Sequence, residues 1–321
     1  MNLRTLPFLV LLLAPPWAVA EEQAPGTTSA DAGDDSWLDN SQEAMSNRTQ
    51  ALTEWLDGFF GDPNFDVERA ESYLRLQLID KWDEDDGNDT KVRLRGKVEL
   101  PKLSRRLAVV FAGDDDDDSI DGEGGDDSFG LQWQIDHGGN SRFDATLAWG
   151  GGDVRPGLRF RNQGPVTEDT SYRWIQRLEY DRDENLFTTG LVDLNQSLSD
   201  TKLLRWSNRV MYGEETDGVE WRTRLSLRQV WNPEAKRPVA INYYASINGI
   251  TQPDQRVKNY RLGLQWRRRV YRDFLYLTLE PAWNYRQRQP DEERAGAWSF
   301  AARLEIDLHQ KSRDRSKQRK D

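Results

Sequence analysis

Residues 153–161 read Asp-Val-Arg-Pro-Gly-Leu-Arg-Phe-Arg, and residues 172–180 read Tyr-Arg-Trp-Ile-Gln-Arg-Leu-Glu-Tyr. In the first stretch Val154, Leu158 and Phe160 share one parity, and Arg155, Arg159 and Arg161 share the other. The second sets Tyr172, Trp174, Leu178 and Tyr180 against Arg173, Arg177 and Glu179. A period of two places the two sets on opposite faces of a β-strand. One face is then greasy and aromatic, while the other carries guanidinium groups.

The same alternation restarts after a turn roughly fourteen times between Glu71 and Leu308. Further examples are Phe129, Leu131, Trp133 and Ile135; Leu204, Trp206, Val210 and Tyr212; and Trp298, Phe300, Leu304 and Ile306. Tryptophan and tyrosine at strand ends fit the aromatic girdles of a barrel in lipid. The pattern predicts an all-β, antiparallel transmembrane β-barrel of about fourteen strands, within roughly twelve to sixteen, preceded by a short N-terminal periplasmic helix. The alternative is a water-soluble β-sandwich, whose strands are usually less evenly patterned.

The N-terminus supplies the address. Residues 1–20 carry one charge at Arg4, an apolar core from Leu6 to Ala14, and Ala18-Val19-Ala20 as a cleavage site, which predicts an export signal cut after Ala20. Without a cysteine in the chain there is neither a lipoprotein anchor nor a disulfide. Residues 21–46 are acidic and polar and predict a disordered leader. Residues 47–68 hold an amphipathic helix and linker. Leu52, Trp55, Leu56, Phe59 and Phe60 form one stripe, Asn47 and Gln50 match a capping box, and Gly61 and Pro63 end the helix. That stripe suits packing on the periplasmic rim, with a lumen plug or a membrane-surface helix as alternatives. The barrel is expected over residues 69–309 and a basic periplasmic tail over 310–321. Both termini are then periplasmic and the barrel sits in the cell outer membrane.

A net charge of −11 and a mean hydropathy of −0.85 hide a sorting of charge. Glu21–Met45 contributes seven acids and no base, and Asp114–Asp127 contributes nine acids and no base. The strand region is therefore nearly neutral. In a barrel with periplasmic termini, the odd-to-even connections lie outside the cell, and these are distinctly acidic. Several even-to-odd connections are basic. Acidic outer loops suit lipopolysaccharide bridged by divalent cations, and Asp114, Asp116, Asp118, Asp121 and Glu123 form a candidate weak Ca2+ cluster, although without the spacing of an EF-hand loop.

The inward parity collects Arg93, Arg95, Arg155, Arg159, Arg161, Arg173, Arg177, Arg205, Arg209, Arg222, Arg224, Arg228, Arg261 and Arg267. Inward acids, among them Glu99, Asp144, Glu179, Asp193, Glu280 and Glu305, are fewer. Guanidinium keeps its charge and grips carboxylate, sulfate or phosphate in a fork, so the excess suits passive passage of anionic solutes. The bland alternative pairs these arginines with acids of neighbouring strands and seals the interior, giving a non-conducting barrel for structure, adhesion or assembly. The chain resembles, in architecture and charge type, the porins for acidic sugars and the polyanion exporters, whose lumens are arginine-lined. No family-specific motif is present, and no residue role is carried over.

A hydrolase is the third reading. Such enzymes need a histidine near the outer rim, whereas His137 and His309 both fall on the periplasmic side. No cofactor is expected. The expected partners are outer-membrane lipid and lipopolysaccharide, the barrel assembly machinery and an anionic solute. The basic tail meets anionic lipid or peptidoglycan, and nucleic acid is not among the partners of an exported chain.

Overall fold

The structure is a computed structural model. It describes residues 49–61 and 72–308, apart from 101–102, 105, 112–128, 151–152, 183–184, 217 and 272–273. The expected signal, leader, acidic Ca2+ cluster and basic tail lie outside the described residues. So do Asn47 and Pro63 of the expected helix ends, and His309.

Fourteen antiparallel strands close into one barrel, each bonded to its sequence neighbours and β1 to β14. They run β1 (Tyr73–Asp83), β2 (Gly87–Glu99), β3 (Leu107–Phe111), β4 (Phe129–Gly138), β5 (Ser141–Gly150), β6 (Asp153–Thr167) and β7 (Thr170–Asp181). The second half comprises β8 (Asn185–Ser199), β9 (Lys202–Gly213), β10 (Val219–Trp231), β11 (Val239–Ile250), β12 (Arg256–Arg269), β13 (Leu275–Arg286) and β14 (Ala295–Asp307). The seam pairs Arg75 with Asp307 and Asp83 with Ser299. Beyond the ladder, Leu308 N donates to Leu74 O at 2.7 Å and Glu84 N donates to Trp298 O at 2.9 Å. Every strand is bonded on both sides, although among the described residues β2 meets β3 only over Gly96–Glu99.

The alternation read from the sequence is the alternation of faces. Leu78, Trp206, Leu225, Leu262 and Trp298 point outward and are 46, 48, 50, 56 and 57% exposed. Their inward neighbours Gln77, Arg205, Arg224, Arg261 and Ser299 are buried. Exposed apolar side chains right round a closed ring, with charge inside, are the inverse of a water-soluble protein and define a transmembrane barrel. Inward alanines at 240, 282, 297 and 301 are nearly or completely buried and leave room for the long side chains opposite. Gly263 does the same for Tyr244. The two are register partners, and a Cβ at position 263 would stand 2.8 Å from Tyr244 Cε1.

The one helix of the described residues, α1 (residues 49–60), lies inside the mouth at the end where β1 begins. Leu56, Phe59 and Phe60 pack on Leu203, Val230 and Ala240, with Leu52 and Tyr276 at the edge of the cluster. Of the alternatives set by the stripe, the structure therefore takes the plug over the rim. The reason is partly apolar, since Leu203 of β9, Val230 of β10 and Ala240 of β11 give this mouth an inward hydrophobic patch. Trp55 stays 40% exposed and stacks on Phe59 at 4.9 Å. At the helix C-terminus Gly61 has φ +75° and donates its N–H to Asp57 O at 2.9 Å, a left-handed cap. A Cβ there would also stand 2.7 Å from Arg75 Nη1.

Candidate functional site

The site is the lumen, and it falls into two parts. At the plug end, Asp57 of α1 is 1% exposed and meets arginines from three strands. Arg228 of β10 donates to Asp57 Oδ1 at 2.5 Å, Arg205 of β9 donates to the same oxygen at 2.6 Å, and Arg173 of β7 approaches Oδ2 at 3.4 Å. Arg173 also grips Asp193 of β8 through Nε at 2.9 Å and Nη2 at 2.5 Å. Asn195 accepts from Arg205 Nε at 2.6 Å, which fixes that guanidinium's plane.

The rest of the helix is tied down around the ring. Thr49 Oγ1 donates to Glu168 O in the β6–β7 turn at 3.2 Å. Gly58 O, near the negative end of the helix dipole, accepts from Arg75 Nη2 at 3.1 Å. Arg228 lies over the Phe60 ring at 5.4 Å, and Arg267 over Phe59 at 6.0 Å. The plug thus reaches strands from β7 round to β1.

On the wall from β11 to β1 the charges are matched within the barrel. Glu280 of β13 accepts from Tyr244 at 2.5 Å, Arg261 at 3.0 Å and Gln265 at 2.8 Å, and is completely buried. Glu305 of β14 accepts from Arg267 and from Gln77 at 2.7 Å, with Arg75 3.8 Å away. Arg267 reaches Thr278 as well, at 2.9 Å. Each carboxylate is held by several donors, the condition under which a buried ion pair is tolerated.

On the wall from β6 to β10, arginine stands opposite arginine. Arg159 is in register with Arg177, and Arg209 with Arg222. Arg155, Arg177, Arg209 and Arg222 are only half-buried, unlike Arg173, Arg205 and Arg228. Along β7 and β9 they lie four residues beyond the plugged arginines, roughly 13 Å toward the far mouth. Arg155 pairs with Asp181 near that mouth.

The fourteen arginines of the inward parity fall into two burial groups. Arg95, Arg159, Arg173, Arg205, Arg224, Arg228, Arg261 and Arg267 are buried, and Arg93, Arg155, Arg161, Arg177, Arg209 and Arg222 are half-buried. Among the described residues eleven lysines and arginines are buried against eight acids, so the interior retains a basic excess. Sequence reasoning did not single out Asp57, Tyr244 or Arg142. Asp57 was overshadowed by the apolar stripe beside it, although a lone acid among Leu56, Phe59 and Phe60 is a signal that a buried cation waits opposite. Arg142 clasps Asp144 through Nε at 2.8 Å and 2.9 Å, although its neighbour Phe143 has the outward parity. No metal cluster of histidines, cysteines or acids occurs among the described residues.

The fold and this interior define a closed, fourteen-strand antiparallel β-barrel with a helix lodged in one mouth and arginines buried on its inner face. No protein-family model and no curated relative matches the chain. Solved structures with a similar fold include the KdgM porin in complex with disordered oligogalacturonate, at 6% identity over 73% of this chain and 99% of that one, with a TM-score of 0.37. Another is a bacterial polysaccharide outer membrane secretin, at 12% identity over 74% and 98%, TM-score 0.42. A third is the outer membrane protein OmpT of Vibrio cholerae, at 9% identity over 73% and 97%, TM-score 0.41.

Proposed function

We propose that this barrel is an outer-membrane channel for anionic solutes, closed at its periplasmic mouth by α1. The observation that carries the reading is the half-buried arginine set, Arg155, Arg177, Arg209 and Arg222, on one wall of the far half of the lumen. Arg159 stands in register with Arg177 and Arg209 with Arg222, and guanidinium groups gathered on one wall offer forked donors to a carboxylate, sulfate or phosphate. Water reaches these residues, so a solute anion entering from the far mouth meets forked donors before it meets the plug.

A second reading, a sealed barrel serving structure or adhesion, draws on the fully neutralised Glu280 and Glu305 networks. Planar-bilayer recordings separate the two. The wild-type chain is expected to show rare openings, and Asp57→Asn frequent anion-selective ones, read from the reversal potential in a salt gradient. A silent or cation-selective Asp57→Asn barrel, folded by heat-modifiable gel migration, would leave the sealed reading in its place.

A further inference from the structure

The contacts of Asp57 are those of a ligand as much as those of a structural residue. Three guanidinium groups from β7, β9 and β10 converge on its two oxygens, and their side chains are 7, 3 and 1% exposed. The barrel holds two of them in place independently of the helix, through Asp193 for Arg173 and Asn195 for Arg205. The pocket is therefore built by strands, whereas its anion arrives on a separate element joined to the barrel ahead of β1. Withdrawing Asp57 takes one negative charge from a space that keeps three buried cations.

We propose that Arg173, Arg205 and Arg228 form a carboxylate-binding site of the lumen, filled in the closed state by Asp57, and that a carboxylate-bearing solute competes with the helix for it. The proposal rests on the channel reading for the route of the solute. The ligand class follows from the occupant: the Asp57 side chain beyond its Cα is an acetate group, and the two-oxygen acceptor matches the fork of an arginine. Both oxygens are engaged, Oδ1 by Arg205 and Arg228 and Oδ2 by Arg173. Helix and solute then exclude each other. Opening is an exchange of one carboxylate for another, and the solute that crosses is the agent that unlatches the plug.

Acetate is the probe, with the full-length chain folded in detergent and checked by heat-modifiable migration. Asp57→Ala leaves the pocket and removes its occupant, so calorimetry is expected to show acetate binding at least about ten-fold tighter than in wild type. Adding Arg228→Gln to that variant is expected to abolish the gain. Equal binding by wild type and Asp57→Ala, no binding by the folded variant, or sulfate binding tighter than acetate would overturn the proposal. Should Asp57→Ala fail to fold, Leu56→Cys in the otherwise wild-type chain serves, because the protein has no cysteine of its own. Leu56 is 0% exposed, and its maleimide labelling is expected to accelerate in acetate over chloride at equal ionic strength; labelling indifferent to acetate would overturn the competition. Conductance of Asp57→Ala distinguishes the two levels. Anion-selective current without acetate binding removes this inference alone, and acetate binding without anion-selective current removes the channel reading alone.

Discussion

The two walls of the lumen solve the problem of buried arginine differently. From β11 to β1 the anions come from the wall itself: Glu280 and Glu305 are completely buried and each is held by several neighbours. From β6 to β10 arginine faces arginine at two register positions; Asp193 holds Arg173 and Asp181 holds Arg155, but the carboxylate that joins β7, β9 and β10 is brought by α1. A wall that carries its own counter-charge is finished when its strands pair. One that borrows a counter-charge can also give it back, so the first wall supplies rigidity and the second supplies a place for something to bind.

The largest expected effect tests the rigid wall. Glu305→Ala leaves Arg267 and Arg75 facing each other in a completely enclosed site, and should cost about 3–5 kcal/mol. A denaturant titration followed by gel migration measures it, and a loss below 1 kcal/mol, the worth of an exposed ion pair, would contradict the burial. Next comes the outward face of the borrowing wall. Leu225→Arg puts the residue that the inner face welcomes onto the lipid side of β10, at an expected cost of about 2–4 kcal/mol near the bilayer midplane. Refolding into lipid vesicles reads this directly, and a neutral result would mean that the belt does not face lipid.

Tyr244→Phe removes one charged hydrogen bond from Glu280, an expected loss of about 1.5–3 kcal/mol in the same titration. Asp57→Asn should leave the melting of the barrel within about 1 kcal/mol of wild type, because the released helix lets water solvate the arginines it had covered. Protease cutting within residues 49–60 should rise at the same time; barrel destabilisation equal to that of Glu305→Ala would erase the distinction between the walls. Smallest is Arg222→Gln, which relieves its repulsion with Arg209 and should shift stability by no more than about 1 kcal/mol. Its reversal potential should nonetheless move toward lower anion preference, and an unchanged value would take Arg222 out of the anion path.

Strand number and facing were legible because period-two alternation is local. Val154, Leu158 and Phe160 announce their face without reference to any other strand. Glu280 and Glu305 could be placed inside by parity, but not assigned to Arg261 and Arg267, because partners across the seam and across strands depend on register. The helix was legible as a stripe and not as a plug. Leu56, Phe59 and Phe60 would suit any apolar surface, and what draws them inside is a patch assembled from β9, β10 and β11. Asp57 was the least legible, since its meaning lies in three arginines more than a hundred residues away along the chain.

The seam between β1 and β14 also sets an order of assembly. Every other pairing joins sequence neighbours, so hairpins from β1–β2 to β13–β14 close connections far shorter than the whole chain, the longest being residues 112–128 between β3 and β4. Arg75 finds Asp307 only after nearly the whole chain has been made and inserted. Because α1 precedes β1 in the chain, it can sit on the inside of the curling sheet when that last pair zips shut. Its contacts with β7, β9 and β10 can form earlier, and they hold the first strand near the path of the last. The same helix that stops the finished pore is thereby placed to act as a mandrel around which the ring is rolled.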